Sequence, residues 1–498
     1  METNVKTTEK KAPSFALSIA AIGILVLFVG GGYIGLGLKV DIMLLCSAAC
    51  VAIMAMTLGY TYADLEAFIC ERISKTMSTI LIIWAIGTVI GTFIFCGAIP
   101  MVIRYGVMLI KPSLVIPMSF VLCAIFSTVT GTSWGSAGTA GVACIGIAAG
   151  LGVSLPMTAA AIVCGATFGD KISPLSDTTN LAPLCAGCTL YQHIGSMMWT
   201  TTPASLLALA GFFILGHTNQ VAADGLPQAA LDMIATLDGM FNWSILLIIP
   251  FVVIVIGAIT KKPPVPTMLA AALLAILIGC FYQGFSIQSG VLSAYSGFKM
   301  DMVPGLDATL ADPMVSKLLV RGGITSMASI VIIIFCGYAY TSILSGVGFM
   351  DTAMKPFTSR IRGRGPLMAA AFCTSFILLA LSGITYVSSI CLPDMYKRSF
   401  LEHGMPARVL SRTIEDGSTI MAPLIPWGTS GLLYASTLGV DVWGSGGYGI
   451  YCFTCWLTPI IAILLAVTGV GIYKMNDEEI KKALAEYDAE QDELRHSI

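Results

Sequence analysis

FGDKISPLSDTTN, residues 168–180, places two aspartates and a lysine between two apolar stretches. MTAAAIVCGAT precedes it and LAPLCAGCTL follows it. A centrally placed Asp or Lys costs about 2.5–3.5 kcal/mol in a membrane helix, so three together cost on the order of 7–10 kcal/mol. Such a cost indicates a functional site inside a membrane domain, and the rest of the sequence supports that interpretation.

The composition is that of a polytopic membrane protein. Of the 498 residues, 56% are hydrophobic and 11% are charged, whereas soluble proteins carry about 25% charged residues. The first apolar run, residues 14–38, is too long for the hydrophobic region of a signal peptide, so we expect a retained span. The net charge is −2 and no basic patch with interleaved aromatic residues occurs, so we expect no nucleic-acid partner.

Runs of about 20 apolar residues are long enough to cross a bilayer as helices. The candidate spans are 14–38, 41–60, 78–97, 195–216, 243–259, 264–282, 323–346 and 447–473. Each half also contains two pairs of shorter segments separated by polar or glycine-rich sequence. These pairs are 113–130 with 135–150, 156–169 with 178–190, 366–383 with 385–396, and 405–420 with 427–440.

The same order of segments occurs in both halves, which indicates an internal repeat. If the first interrupted pair turns back as a hairpin and the second is a single broken span, each half crosses the membrane five times. With the N-terminus inside, this inverted arrangement puts nineteen Lys and Arg residues on the cytoplasmic side and six outside. A parallel arrangement would move Lys261, Lys262 and the basic cluster at 359–365 outside, against the positive-inside rule.

We therefore predict an all-α polytopic membrane protein with two inverted-topology repeats of about five spans, each with a re-entrant hairpin and a broken helix. Both termini are expected to be cytoplasmic, in a bacterial inner membrane. The expected segments are a cytoplasmic N-terminal tail (1–13), a first transmembrane repeat (14–216), an extracytoplasmic loop (217–242), a second transmembrane repeat (243–474) and a cytoplasmic helical tail (475–498).

The opening stretch is predicted to be the break in a membrane helix. The preceding half-helix directs its C-terminal carbonyls, which carry partial negative charge, toward the break where Asp170 lies. Carbonyl and carboxylate oxygens suit a hard cation such as Na⁺, or a proton. Asp177 begins the next half-helix, where it can bind the cation or cap the helix. Lys171 can form a structural ion pair with either aspartate, or compete with the cation for the carboxylate.

STVTGTSWGSAGTAG, residues 127–141, is predicted to be the tip of the first hairpin. Its hydroxyls, amides and glycines suit a sharp turn that binds an ion, although small residues of this kind also favour close helix packing. It contains the pattern G-x-S-x-G, which in hydrolases follows a strand and needs a histidine base. Apolar helices flank it here and no histidine lies near it, so we do not expect an enzyme.

The second half supplies SGIT, residues 382–385, and RTIEDGSTIMAPLIPWGTSG, residues 412–431. Glu415 and Asp416 lie near the end of a short half-helix, where either can bind an ion and one can instead pair with Arg412. Trp134 and Trp427 can line a substrate path or serve only in packing.

GDKISPLSDTTNLA and EDGSTIMAPLIPWGTSG closely resemble two signatures of the NhaC family of Na⁺/H⁺ antiporters, and the likeness extends from about residue 14 to 473. The resemblance implies the fold of the larger ion-transporter superfamily, with inverted repeats, re-entrant hairpins and broken helices. It also implies cation–proton exchange. The family includes members that exchange organic acids such as malate and lactate using Na⁺ and H⁺.

We expect a ten-span secondary antiporter that exchanges Na⁺ for H⁺ by alternating access. The alternative is a Na⁺- or H⁺-coupled transporter of a small organic anion of malate, lactate or amino acid type. Expected partners are Na⁺, H⁺ and the lipid bilayer, with no cofactor; whether the chain forms a homodimer stays open. Asp170 and Asp177 are expected to bind Na⁺, and Glu415 and Asp416 to bind a second ion or carry the proton. The other candidate binding residues are Ser173, Ser176, Thr178, Asn180, Thr130, Thr132, Ser133, Ser136, Ser418 and Thr419.

Overall fold

A computed structural model describes residues 10–36, 38–218, 228–260, 262–306, 313–350, 352–353 and 363–496. Within these ranges every regular element is a helix, as the sequence predicts. Some residues of the topology prediction lie outside the described residues, namely Lys6, Asp224, Lys261, Lys355, Arg360 and Arg362.

The described part of the first half forms ten α-helices, two of which continue as π-helical turns. They are α1 (Phe15–Leu25, continued at Val26–Gly35), α2 (Val40–Thr57), α3 (Tyr62–Phe95), α4 (Ala98–Leu109), α5 (Pro112–Thr130), α6 (Ser133–Ser136, continued at Ala137–Gly141), α7 (Val142–Gly150), α8 (Leu155–Ile172), α9 (Asp177–Ala186) and α10 (Leu190–Thr218).

The remaining described helices belong to the second half and the C-terminal tail. They are α11 (Gln228–Met240), α12 (Ile249–Ile259), α13 (Pro264–Phe281), α14 (Ile287–Ser296), α15 (Pro313–Leu319), α16 (Ala328–Gly346), α17 (Arg364–Ser382), α18 (Thr385–Glu402), α19 (Ala407–Gly417), α20 (Thr429–Leu438), α21 (Phe453–Thr468) and α22 (Asp477–His496). Short 3₁₀ turns lie at Ile245–Ile248, Met300–Met302, Ile324–Met327, Ala422–Leu424 and Gly449–Tyr451.

Six described helices are long and apolar enough to cross a membrane, judged by length and composition alone. They are Val40–Thr57, Pro112–Thr130, Leu190–Thr218, Pro264–Phe281, Ile324–Gly346 and Arg364–Ser382. The number rises to eight if two bent helix pairs each count as one span; these are Ile80–Phe95 with Ala98–Leu109, and Ala230–Met240 with Ile245–Ile259. Large apolar side chains such as Leu206 and Leu273 are exposed on these helices, as lipid contact requires. The chain is therefore a multi-pass membrane protein.

Helix α3 is longer than one membrane crossing requires. It has 34 residues, whereas about 20 suffice to span the bilayer. Its start is a capping box in which Thr61 accepts a hydrogen bond from the Asp64 amide while Asp64 accepts one from the Thr61 amide. The hydrogen bond from Lys10, followed by that from the Thr61 amide, lowers the pKa of Asp64 to about 2. The polar start of α3 is thereby fixed to the N-terminal segment.

Four helices of the first half have counterparts in the second half at a constant spacing of 252 residues. The paired helix starts are Pro112 and Arg364, Ser133 and Thr385, Leu155 and Ala407, and Asp177 and Thr429. Gly131 and Gly383, at the same spacing, end the first arm of each hairpin, and both have φ of +69°. Glycine adopts this conformation without the steric cost that a Cβ would bring. The predicted pairs of interrupted helices are thus present in both halves.

The same spacing recurs where the first arm of each hairpin packs against a broken helix. A Cβ at Gly165 of α8 would lie 2.1 Å from the carbonyl oxygen of Phe120, and one at Gly417 of α19 would lie 2.8 Å from that of Phe372. Small residues let helix backbones approach this closely in a membrane. In each half, this contact brings the hairpin tip to the break in the helix.

Candidate functional site

A cavity of about 80 Å³ lies where loops of the two halves meet. We call it the central cavity. The first half contributes the hairpin tip, with Thr130, Thr132, Ser133 and Trp134, and the break after α8, with Asp170, Ser176, Asp177 and Thr178. A water molecule needs roughly 10–15 Å³ of such volume, so the cavity accommodates about five waters or a partly hydrated small cation.

Asp170 is the buried carboxylate of the central cavity. It lies in the last turn of α8, is 8% exposed, and its Oδ2 accepts a hydrogen bond of 2.7 Å from Ser133 Oγ at the hairpin tip. Its backbone carbonyl accepts hydrogen bonds from the Ser173 amide at 3.2 Å and from Thr179 Oγ1 at 3.0 Å. The carbonyl therefore holds the break together, and the carboxylate is the group that Asp170 presents to the cavity.

Asp177 has a different environment from Asp170. It is exposed and is the first residue of α9, whose N-cap is Ser176; the Ser176 hydroxyl accepts a hydrogen bond of 3.5 Å from the Thr179 amide. The interpretation of Asp177 as the helix cap is therefore wrong, because the cap lies one residue earlier. As an acidic residue in a first helical turn, Asp177 is stabilised by the nearby amides.

A second, wider cavity of about 460 Å³ adjoins the central one. Ile82, Asp177, Ile384 and Tyr386 line both cavities. The wider cavity extends to Arg72 of α3, so an open route connects that face of the protein with the central cavity. Asp177 lies on this route, ahead of the more deeply buried Asp170.

Several other predicted site residues have a structural role in the described chain. Ser173, Ser136 and Ser418 each donate their hydroxyl proton to a backbone carbonyl, at 2.7–3.0 Å. Asn180 donates to the carbonyl of Pro174 at 2.9 Å and lines the wider cavity. These residues hold the tip and the breaks in shape, and they do not line the central cavity.

Glu415 and Asp416 lie in the last turn of α19 and are completely buried. Asp416 Oδ1 accepts hydrogen bonds from Lys171 Nζ at 3.0 Å and from Thr200 Oγ1 at 3.1 Å. Neither oxygen of Glu415 has a protein hydrogen-bond partner. Neither carboxylate lines the central cavity, but Thr419, in the turn that follows α19, does.

The structure corrects the expected partners of Lys171 and Arg412. Lys171 pairs with Asp416, and neither Asp170 nor Asp177 is its partner. Asp170 and Lys171 are successive residues of α8, so their side chains point about 100° apart, and Asp177 belongs to the next helix, α9. Arg412 donates from Nη1 to the backbone carbonyls of Ser196 at 3.3 Å and Gly471 at 3.0 Å. Within the described residues Arg412 forms no ion pair with Glu415 or Asp416.

Five residues of the second half line the central cavity but are not among the predicted binding residues, namely Thr385, Tyr386, Thr429, Ser430 and Tyr434. Thr385, Thr429 and Ser430 do lie within the predicted polar stretches 382–385 and 412–431. Trp134 Nε1 donates to Ser430 Oγ at 3.2 Å, which links the first hairpin tip to α20. Trp427 instead donates to the carbonyl of Ala380 at 2.7 Å. The internal repeat could have identified two of these residues, because Thr385 lies 252 residues after Ser133 and Thr429 lies 252 residues after Asp177.

Comparison with known proteins identifies the family of this chain. The chain matches the family described as the Na⁺/H⁺ antiporter family over residues 4–179 and 165–470. It is 35% identical over 472 residues to an uncharacterized Na⁺/H⁺ antiporter of Haemophilus influenzae, covering 95% of this chain and 100% of that protein. It is 30% identical over 467 residues to the Na⁺/H⁺ antiporter NhaC of Alkalihalophilus pseudofirmus, covering 94% and 98%. It is also 30% identical over 480 residues to the malate-2H⁺/Na⁺-lactate antiporter of Bacillus subtilis, covering 95% and 98%. This chain belongs to the Na⁺/H⁺ antiporter family.

Proposed function

We propose that this protein is a secondary antiporter that exchanges Na⁺ for H⁺ across a bacterial cytoplasmic membrane. The observation that carries the proposal is the position of Asp170, a buried carboxylate at a helix break in a cavity formed by both halves. A buried carboxylate needs a counter-charge or a proton. Na⁺ and H⁺ satisfy that need at the same oxygens and exclude each other, and exchange requires such competition.

We assign cation binding to Asp170 and Asp177 in different roles. Asp170 is deeper and already contacts the hairpin tip through Ser133, so it serves as the principal ligand. Asp177 is exposed on the route from the wider cavity and attracts the cation toward the site. The hydroxyls of Ser176 and Thr178 also line the central cavity and complete the oxygen set.

We infer that the two halves are inverted-topology repeats of five spans, with both termini cytoplasmic. The constant spacing of the four helix pairs supports a repeat. The distribution of basic residues, eighteen to six once the buried Arg412 is left out of the nineteen, supports the inverted arrangement. Alternating access then exposes the central cavity to each side in turn. In this topology Arg72 is cytoplasmic, so the wider cavity corresponds to an inward-facing state.

Exchange can be measured in proteoliposomes with an imposed pH gradient and an internal pH dye. The wild-type protein should collapse the gradient when Na⁺ is added and should do so far less with K⁺. Asp170→Asn should abolish the Na⁺ response, while the matched control Asp232→Asn, an exposed aspartate of α11, should behave as wild type. A wild-type response that is equal for Na⁺ and K⁺, or an active Asp170→Asn variant, would refute the proposal.

A second candidate function is coupled transport of a small organic anion. The wider cavity has room for a dicarboxylate, and Arg72 on its wall offers a positive charge. The relative named as a malate-2H⁺/Na⁺-lactate antiporter points in the same direction. In the same liposomes, malate, lactate or an amino acid would then be required for the pH change. A full response to Na⁺ with no organic anion present would exclude this alternative.

A further inference from the structure

Buried polar atoms without a protein partner concentrate at one helix contact. Fifteen buried side-chain nitrogen and oxygen atoms in the described residues lack a protein hydrogen-bond partner, and ten of them lie on α10, on α19 or in the turn after α19. Buried polar groups are almost always satisfied, by water where the protein supplies no partner. The contact between α10 and α19 is therefore a polar layer inside the membrane domain.

Three contacts between α10 and α19 order this layer, and they follow successive turns of α10. Near the start of α10, His193 Nδ1 and Ser411 Oγ lie 2.7 Å apart. One turn later on α10, the carbonyl of Ser196 accepts a hydrogen bond from Arg412 at 3.3 Å, and after another turn of α10 Thr200 donates to Asp416 at 3.1 Å. We call these contacts the polar ladder.

The polar ladder lies between two cavities. Near the His193–Ser411 contact lies a surface cavity of about 350 Å³. Its lining includes Gln192, which precedes His193 in sequence, and Arg408, which lies one helical turn before Ser411. Toward the central cavity, Glu415 follows Ser411 by one turn of α19, and Thr419, one turn after Glu415, lines that cavity. His193 Nε2 and both oxygens of Glu415 lack protein partners, so both groups can still exchange a hydrogen bond with water.

The charges along the ladder favour a proton over Na⁺. Lys171, Arg412, Glu415 and Asp416 are all completely buried, so two fixed cations stand beside two carboxylates. The four charges sum to zero, so they offer a Na⁺ ion no net attraction that would offset the loss of its hydration. A proton instead moves by exchange along hydrogen bonds and is neutralised where it joins a carboxylate.

We propose that the polar ladder is a proton route, separate from the wider cavity through which Na⁺ enters. His193 is the relay nearer the surface cavity, and Glu415 is the proton acceptor nearer the central cavity. The imidazole can take up a proton at one ring nitrogen and release one from the other, and the Ser411 hydroxyl both donates and accepts. The inference rests on the proposed exchange function. The charged groups that surround the route are Asp170 and Lys171 on α8, and Arg408, Arg412 and Asp416 on α19.

The test compares two transport modes of the same reconstituted protein. Na⁺/H⁺ exchange is followed with the pH dye, and Na⁺/Na⁺ exchange, which needs no proton movement, with radioactive Na⁺. His193→Gln should slow Na⁺/H⁺ exchange at least ten-fold and leave Na⁺/Na⁺ exchange within two-fold of wild type. Ser411→Ala should cause the same selective loss to a smaller degree. The control His217→Gln changes the exposed histidine at the far end of α10 and should alter neither mode.

Each alternative outcome decides against the relay. Equal loss of both modes in His193→Gln and Ser411→Ala would mean that the residues have only a structural role. Wild-type rates of Na⁺/H⁺ exchange in both variants would mean that protons take another path. If the wild-type protein performs neither mode, the exchange function itself is refuted and the relay with it. If the wild type exchanges and only the selective loss is missing, the relay alone is refuted.

Discussion

Lys171 and Asp416 form an ion pair of 3.0 Å in which both side chains are completely buried. Lys171 belongs to α8 and Asp416 to α19, so the pair joins the two broken helices across the halves of the molecule. Removing one partner of a buried pair costs about 3–5 kcal/mol, because it leaves an uncompensated charge, whereas apolar replacement of both partners is often neutral. The pair therefore sets how the two breaks face each other.

Lys171→Met should lower the thermal stability of the purified protein in detergent by an amount equivalent to about 3–5 kcal/mol. The double variant Lys171→Met with Asp416→Leu should recover most of that loss. Size-exclusion chromatography of heated samples measures both. Arg398→Gln, which removes the exposed ion pairs with Glu402 and Asp488, is the control and should leave the thermal stability nearly unchanged. A double variant no more stable than the single one would contradict the argument.

Asp170→Asn should abolish Na⁺-dependent proton movement while the protein remains folded in the membrane, because the neutral amide cannot exchange a proton for Na⁺. Asp177→Asn should retain part of the activity, since Ser176 caps α9 and the exposed Asp177 acts on the entry route. Initial rates in proteoliposomes with matched protein content measure the difference. A dead Asp177→Asn beside a normal Asp170→Asn would reverse the two roles, and activity in both would favour Glu415 and Asp416 as ligands.

Gly131→Ala should disrupt the first hairpin tip. Gly131 has φ of +69°, and a Cβ there would lie 2.6 Å from Leu175 Cβ and 2.7 Å from its backbone carbon. The left-handed conformation alone costs about 1–2 kcal/mol for a residue with a side chain, so transport should fall about ten-fold or more. Gly195→Ala, where nothing lies within 4 Å of the added methyl group, should keep wild-type rates. Equal activity of the two variants would show that the tip tolerates a shift.

Cysteine labelling in a Cys-reduced background tests the inverted topology. A cysteine at Arg398, which is 56% exposed, should react with an impermeant reagent only from the cytoplasm. A cysteine at Asp232, which is also exposed, should react only from outside. The readout is labelling of intact cells compared with inside-out vesicles. Labelling of both positions from one side would exclude five crossings in each half.

Truncation after residue 476 should change the transport rate by less than about two-fold. The removed helix α22 contacts α18 through the exposed pair Asp488–Arg398, and Lys397 Nζ lies 5.5 Å from the Tyr487 ring centroid. Exposed ion pairs contribute about 0–1 kcal/mol. Membrane content should be checked by immunoblot before rates are compared. Complete loss of transport by a correctly inserted truncation would mean that α22 belongs to the transport core.

The membrane class, the family resemblance and the order of interrupted helices could all be predicted from the amino-acid sequence. The half-helix predicted at 156–169 is observed at Leu155–Ile172, and the one predicted at 405–420 at Ala407–Gly417. These features depend on local properties, namely the length of an apolar run and the polar or glycine residues that end it. For the same reason, the stretches around Ser133, Asp170 and Thr419, which meet in the central cavity, could be identified as candidate loops.

The contacts between distant side chains could be learned only from the tertiary structure. It paired Lys171 with Asp416, placed Tyr434 in the central cavity and aligned His193 with Ser411. These partners are separated by more than 200 residues, and their contacts depend on how each helix is rotated about its axis. A helix that is apolar on most sides carries little periodic signal for that rotation. Close packing of backbones at positions such as Gly165 and Gly417 fixes it instead, and that contact exists only in the folded protein.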